Sequence, residues 1–328
     1  MEITRPPRLR SGDDVRVIAP ARSRAMVNEH DHSALITERF SAMGLTLSFG
    51  EHVDERDRRD SCTTASRVAD LHAAFADDSV AAVLTVIGGF NSNELLPSVD
   101  WDLIRANPKI FCGYSDITAL GNAILARTGL MTYNGPHWST FGMRRHFEPT
   151  GEWFRATVFD DDPVTLRAAE GWTDDLWFLD QDHREVHPGG WWVLNSGTAT
   201  GQVLGGNLCT LNLLQGTPYW PAVERPVLVI EDDYTSGLND VARNLTSLLQ
   251  VPGLDGLAAL VIGRFQRASE IDRDGLEEIL TVHPVLATVP VLANVDVGHT
   301  MPLATVPLGG QVEVHADLAD PRLVFTVH

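Results

Sequence analysis

Three short stretches of this chain set a nucleophile, a carboxylate and a base where each could act. The first is Lys109-Ile-Phe-Cys-Gly-Tyr-Ser-Asp-Ile-Thr118. An apolar run enters Gly113, passes Ser115 and continues as a helical pattern. A tight strand–turn–helix of this kind lifts a serine hydroxyl above a sheet edge and aims helix N-terminal N–H groups at whatever it attacks. The same spacing suits a serine or aspartate that only caps the helix. The second stretch, Val227-Leu-Val-Ile-Glu-Asp-Asp233, ends a strand-like run on three carboxylates. One of them could steady a histidine, or they could hold Mg²⁺ through oxygen; a solvated acidic turn fits too. The third, Asp296-Val-Gly-His-Thr-Met-Pro302, puts His299 in a loop. An imidazole there can serve as a general base near neutral pH. Residue type alone does not single it out among 12 histidines. His30, His32, His183 and His187 lie in polar segments and are expected at the surface.

Two more segments could line a ligand site. Val86-Ile-Gly-Gly-Phe-Asn-Ser-Asn93 follows another apolar run, and Gly88 and Gly89 permit either a tight turn or close backbone approach to a ligand. It lacks the GK[ST] of a P-loop and the third glycine of a dinucleotide fingerprint. Gly190-Trp-Trp192, with Leu204-Gly-Gly-Asn207 beyond it, offers flat rings for stacking or an aromatic plug between domains. Neighbouring tryptophans point different ways. Trp191, directly after the glycine pair, is the preferred stacking ring.

The elements that must position these residues follow from apolar periodicity. Val15–Pro20, Leu45–Phe49, Ala81–Ile87 and Lys109–Cys112 read as strands, with helices over residues 33–43, 66–77 and 116–128. Alternation of this kind predicts a parallel sheet covered on both faces. From Asp160 to Trp192 the pattern breaks into acidic clusters, Gly, Pro and four tryptophans, read as a linker and a long loop. Strands are then expected at 199–204, 226–230, 257–262, 289–293, 311–314 and 322–327, and helices at 239–249 and 273–281. The expected domains are 1–165, Rossmann-like and nucleophile-bearing; 166–195, the linker and tryptophan loop; and 196–328, β-rich and barrel-like.

Composition narrows the partners. The 328 residues carry 25 basic and 44 acidic side chains, a formal net charge of −19. Such a surface disfavours nucleic acid and anionic membranes. The arginine-rich start is followed by no apolar stretch, and no run approaches the roughly 20 apolar residues of a membrane span. Three scattered cysteines fit reduced thiols in the cytoplasm. There is no CxxC, HExxH or His-x₃-His pattern, and no metal is expected.

In order along the chain, Ile87-Gly-Gly-Phe-Asn-Ser-Asn-Glu-Leu-Leu96, Phe111-Cys-Gly-Tyr-Ser-Asp-Ile-Thr-Ala-Leu120, Tyr133-Asn-Gly-Pro136, Leu204-Gly-Gly-Asn-Leu208, Val229-Ile-Glu-Asp232 and Gly298-His-Thr-Met-Pro302 closely resemble the LD-carboxypeptidase serine peptidase family (S66 type). The resemblance covers nearly the whole chain. It implies a Ser115–Glu231–His299 triad, an oxyanion site from the backbone N–H groups of Gly89 and Asp116, and a site between two domains. It also implies no metal or cofactor, and commonly a homodimer. The Gly88–Leu96 loop with Asn91, the tryptophan segment and the length lean toward the microcin-immunity branch, which cleaves aminoacyl-nucleotide-like toxins. Gly88, Asn91, Trp191, Trp192 and Asn207 would then line the substrate. The murein branch, which releases D-Ala from wall tetrapeptides, is the alternative. No Lys or Arg follows Glu231 to meet a phosphate; Arg243 is a substitute or a helix-surface residue. A catalytically idle ligand-binding protein on the same fold is the reading from another class.

Overall fold

The computed structural model describes residues 2–27 and 32–328; His30 lies outside them. The first sheet is built from β1 (Asp14–Ile18), β2 (Thr46–Phe49), β3 (Val80–Thr85), β4 (Ile110–Cys112) and β5 (Thr132–Asn134), all parallel. Their order is β5-β4-β3-β1-β2. β3 carries Val80, Ala82, Val83 and Leu84 into the core, as expected for a strand covered on both faces.

The second sheet is larger. β6 (Val164–Leu166) and β9 (Trp192–Asn195) form its edges. Between them lie β10 (Gly197–Asn207), β11 (Pro226–Glu231), β12 (Ala259–Gly263), β13 (Val291–Val295), β15 (Gln311–Ala316) and β16 (Arg322–Val327), in the order β6-β16-β15-β10-β11-β12-β13-β9. Strands β10 to β13 run parallel. β7 (Gly171–Trp172) and β8 (His187–Pro188) make a separate small pair.

Three expectations are corrected. The β-rich part is an open sheet rather than a barrel, since its pairing order ends at β6 and β9. The segment read as linker and loop carries strand at both ends, because β6 pairs with β16 and β9 with β13. Strand β14 (Val306–Leu308), from within residues 196–328, joins the first sheet against β5.

Helix Ile117–Thr128 is the hinge of the architecture. Every residue from Ile117 to Leu125 is buried, because both sheets pack on it. Thr118 Oγ accepts from Asn207 N at 2.9 Å, and Asn122 Nδ2 donates to Gly205 O at 2.9 Å. Those bonds fix the first half of this helix against the carboxyl end of β10. No described helix is long and apolar enough to cross a membrane.

Candidate active site

Ser115 stands three residues beyond β4, with φ +61°. A non-glycine residue held in the left-handed region costs on the order of 1–3 kcal/mol, so surrounding contacts must over-determine it. Tyr114 O and Ser115 O accept from Ile117 N and Thr118 N, which starts the helix directly under the serine. The N-capping alternative is not what the structure adopts. The Ser115 hydroxyl lies 3.1 Å from His299 Nε2. The Asp116 carboxylate turns away and accepts from Asn91 N and Ser92 N, both at 2.9 Å. Asp116 thus ties the Gly88–Asn93 loop to the helix start.

Glu231 ends β11, opposite Asn207 on β10. It is 1% exposed, so the solvated-turn alternative fails for it. Its Oε2 lies 2.6 Å from His299 Nδ1. Two glycines make this possible. At Gly298 φ is +106°, and a Cβ there would stand 2.5 Å from Glu231 Oε2; at Gly88 a Cβ would stand 3.0 Å from Ser115 Oγ. The chain therefore joins hydroxyl, imidazole and carboxylate in one line, from residues 115, 299 and 231.

Burial works against a charged His299, yet the charge and hydrogen bond of Glu231, with Asp233 and Asp232 beyond, outweigh it and raise the imidazole above its usual 6.5. Tyr114 packs on that ring at 5.2 Å and on His137 at 4.2 Å. Burial, and then the nearby His299, hold His137 well below its ordinary value. His137 is a neutral support behind the tyrosine, bonded at Nδ1 to Thr85 Oγ at 2.8 Å.

The loop bearing His299 is anchored by a buried ion pair. Asp296 takes Arg264 at 2.5 Å, Trp191 Nε1 at 2.9 Å and Ala169 N at 3.0 Å. Thr173 and Met301 exchange two backbone bonds of 2.8 Å, so the tryptophan segment is stitched to the histidine loop. The sequence offered no sign of this, because Arg264 lies 32 positions from Asp296, and Trp191 and Ala169 more than 100, so they meet only in the fold.

The other expected residues divide. Gly88 and Gly89 lie against the Ser115 turn, and no acceptor among the described residues pairs with the N–H of Gly89 or Asp116. Asn91 is buried beside them. Asn207 instead meets protein partners at both ends of its amide, capping the helix Leu208–Asn212 through Thr210 N and donating to Asp232. The preference for Trp191 is corrected, since its ring is 8% exposed and its N–H belongs to Asp296. Trp192 and Trp172, half-buried, share a cavity of about 460 Å³ with it, Phe265 and Arg267. His32 and His187 are half-buried rather than superficial, packed on Trp177 and Trp172; His183 is exposed. Arg243 is a helix-surface residue paired with Asp240 at 2.8 Å. Among the described residues no group of three or more metal-ligating side chains gathers.

Asp232 supplies a stability prediction. It is 2% exposed, and burial, then the charge of Glu231, pushes its carboxyl up to about 6 from 3.8. A carboxyl raised in the folded state adds stability below its unfolded pKa and loses it as pH climbs through the folded one. Asp232→Asn is therefore expected to stabilise the protein at pH 8 by roughly 1–3 kcal/mol, and hardly at all at pH 4. Thermal melts at both pH values check this; equal destabilisation at both would contradict it.

Serine, histidine and glutamate bonded in series at the carboxyl ends of parallel strands have the geometry that a serine hydrolase requires. The LD-carboxypeptidase N-terminal domain matches residues 15–135 and the LD-carboxypeptidase C-terminal domain residues 200–314. The chain belongs to this serine peptidase family. YocD of Bacillus subtilis (strain 168), which carries a provisional carboxypeptidase name, is 43% identical over 98% of this chain and 99% of that protein. The Escherichia coli microcin C7 self-immunity protein MccF is 30% identical over 84% of this chain and 82% of its own. A crystal structure of an MccF-like protein from Bacillus anthracis superposes with a TM-score of 0.96 at 40% identity, covering 99% of this chain and 100% of that one.

Proposed function

We propose that Ser115, His299 and Glu231 act as nucleophile, general base and orienting carboxylate in hydrolysing an amide bond of a small acylated substrate. The observation that carries this is the continuous relay, 3.1 Å from hydroxyl to imidazole and 2.6 Å from imidazole to carboxylate. Ser115 Oγ attacks the carbonyl carbon as His299 Nε2 takes its proton. The backbone N–H groups of Gly89 and Asp116 receive the oxyanion, helped by the positive end of helix Ile117–Thr128. His299 then protonates the leaving nitrogen. Water, deprotonated by the same imidazole, attacks the acyl-enzyme and releases the acid.

The substrate we favour is an aminoacyl group joined to a nucleotide-like leaving group, a reaction of immunity or detoxification. MccF has been solved in complex with glutamyl sulfamoyl guanosine, at 27% identity to this chain and a TM-score of 0.88. Gly88, Asn91 and the half-buried Trp192 and Trp172 are the surfaces offered to it. One observation favours the murein reading: a Pseudomonas aeruginosa protein named murein tetrapeptide carboxypeptidase is 26% identical over 87% of this chain. The proposal includes a cytoplasmic homodimer. Its three cysteines are free, as suits a reducing compartment.

Incubation with an aminoacyl-sulfamoyl adenosine, and separately with a muropeptide tetrapeptide, separates the two substrates by mass spectrometry. Release of the amino acid from the first is expected. Loss of D-Ala from the second, with the first intact, would transfer the protein to wall recycling.

A further inference from the structure

Beside the nucleophile turn lies a cation that no carboxylate answers. Arg22 follows β1, and its backbone N–H donates to Gly88 O at 3.3 Å. The order β5-β4-β3-β1-β2 reverses between β3 and β1, so the loops after these two strands flank the crevice where open parallel sheets hold ligands. A Cβ on Gly89 would stand 3.2 Å from Arg22 Cγ, and one on Gly88 would stand 3.0 Å from Ser115 Oγ. Arg22 and Ser115 thus flank the same glycine pair.

The Arg22 guanidinium lies over the exposed ring of Phe90, 5.1 Å from its centroid. Its Nε is buried and has no acceptor. Four neighbouring arginines meet a carboxylate: Arg16 meets Asp77, Arg24 meets Asp54, and Arg59 and Arg67 meet Glu94, although the Nε of Arg67 is also buried without an acceptor. A buried N–H is costly to leave unpaired, so an Nε without an acceptor, on an arginine without a carboxylate partner beside the serine turn, points to an external acceptor. The far side of the relay carries Glu231, Asp232 and Asp233, which would repel an anion.

We propose that Arg22 is the substrate-anion receptor of this site, taking a carboxylate or phosphoryl-type group near the scissile bond. Its planar fork matches both anions. The proposal rests on the hydrolase reading only for what that anion is attached to. A peptide C-terminus and a nucleotide phosphate share the required chemistry, and the test separates them.

Calorimetric titration of the Ser115→Ala protein, with and without Arg22→Met, uses four probes: AMP, adenosine, a D-alanine-terminated tetrapeptide and its C-terminal amide. Removing the guanidinium is expected to weaken one charged probe by about tenfold to a hundredfold. Its neutral counterpart should change less than twofold, which also shows that the fold survives. Arg22→Lys should recover part of the loss, and higher salt should shrink it. Which charged probe responds identifies the anion. Equal losses for charged and neutral probes, no loss for either, or no binding of either anion by the Arg22 protein would overturn the proposal. Binding needs no turnover, so an inert wild-type enzyme would sink the hydrolase reading and leave the anion result standing by itself.

Discussion

Ser115→Ala should lower kcat/KM by about 10⁴-fold or more while leaving ligand affinity within a few-fold. The size follows from what the hydroxyl does and what its loss leaves behind. Without it no acyl-enzyme forms, and only the N–H donors and binding contacts remain to favour attack by water. Affinity survives because the strained turn is held from outside the side chain. Tyr114 O and Ser115 O keep their helix bonds, and Asp116 keeps its two bonds to the Gly88–Asn93 loop. Parallel turnover and titration measurements decide it. A wild type that binds the same ligands but turns over none of them would favour the idle-binder reading instead.

Glu231→Gln is expected to cost about 10³- to 10⁴-fold in kcat and to move the acid limb of the pH profile to lower pH. Glu231 accepts a hydrogen bond from His299 Nδ1–H at 2.6 Å, and so leaves Nε2 free to accept from Ser115. A glutamine can present its N–H₂ to Nδ1, reversing the tautomer and blocking the base. The second effect has a definite sign. Burial alone lowers the His299 pKa, and Glu231 is the main group that raises it. Removing the charge leaves burial in command, so the imidazole deprotonates at lower pH. A kcat–pH series on both proteins measures this; an acid limb that stays in place would show that Glu231 does not set the histidine's charge.

Much of the site was legible because its three members terminate or closely follow strands with strong apolar patterns. β3, β11 and β12 are unbroken runs, and helices Thr64–Ala76 and Arg273–Thr281 fall within two residues of their expected starts. Strands β5 and β14 escaped notice because three residues are too few to show a period, and β14 finds its partner far back in the chain, Val306 opposite Asn134. The open second sheet read as barrel-like for a related reason. Edge strands β6 and β9 come from an acidic, glycine-rich stretch whose pairing is set by β16 and β13 rather than by local pattern. Trp191 looked like a stacking platform until Asp296, far along the chain, claimed its N–H. Arg22 gave no signal either. Its importance comes from strand order, which brings the loop after β1 against the loop after β3.

Every catalytic role assigned to this cleft depends on the hydroxyl of residue 115 becoming covalently acylated. Brief exposure to a fluorophosphonate, followed by intact-mass and peptide mapping, reads that reactivity directly. One adduct on the peptide carrying Ser115, formed faster above the His299 pKa and absent from the alanine variant, is the predicted result. No adduct there in protein that still hydrolyses substrate, or modification mapped to another side chain, would contradict it.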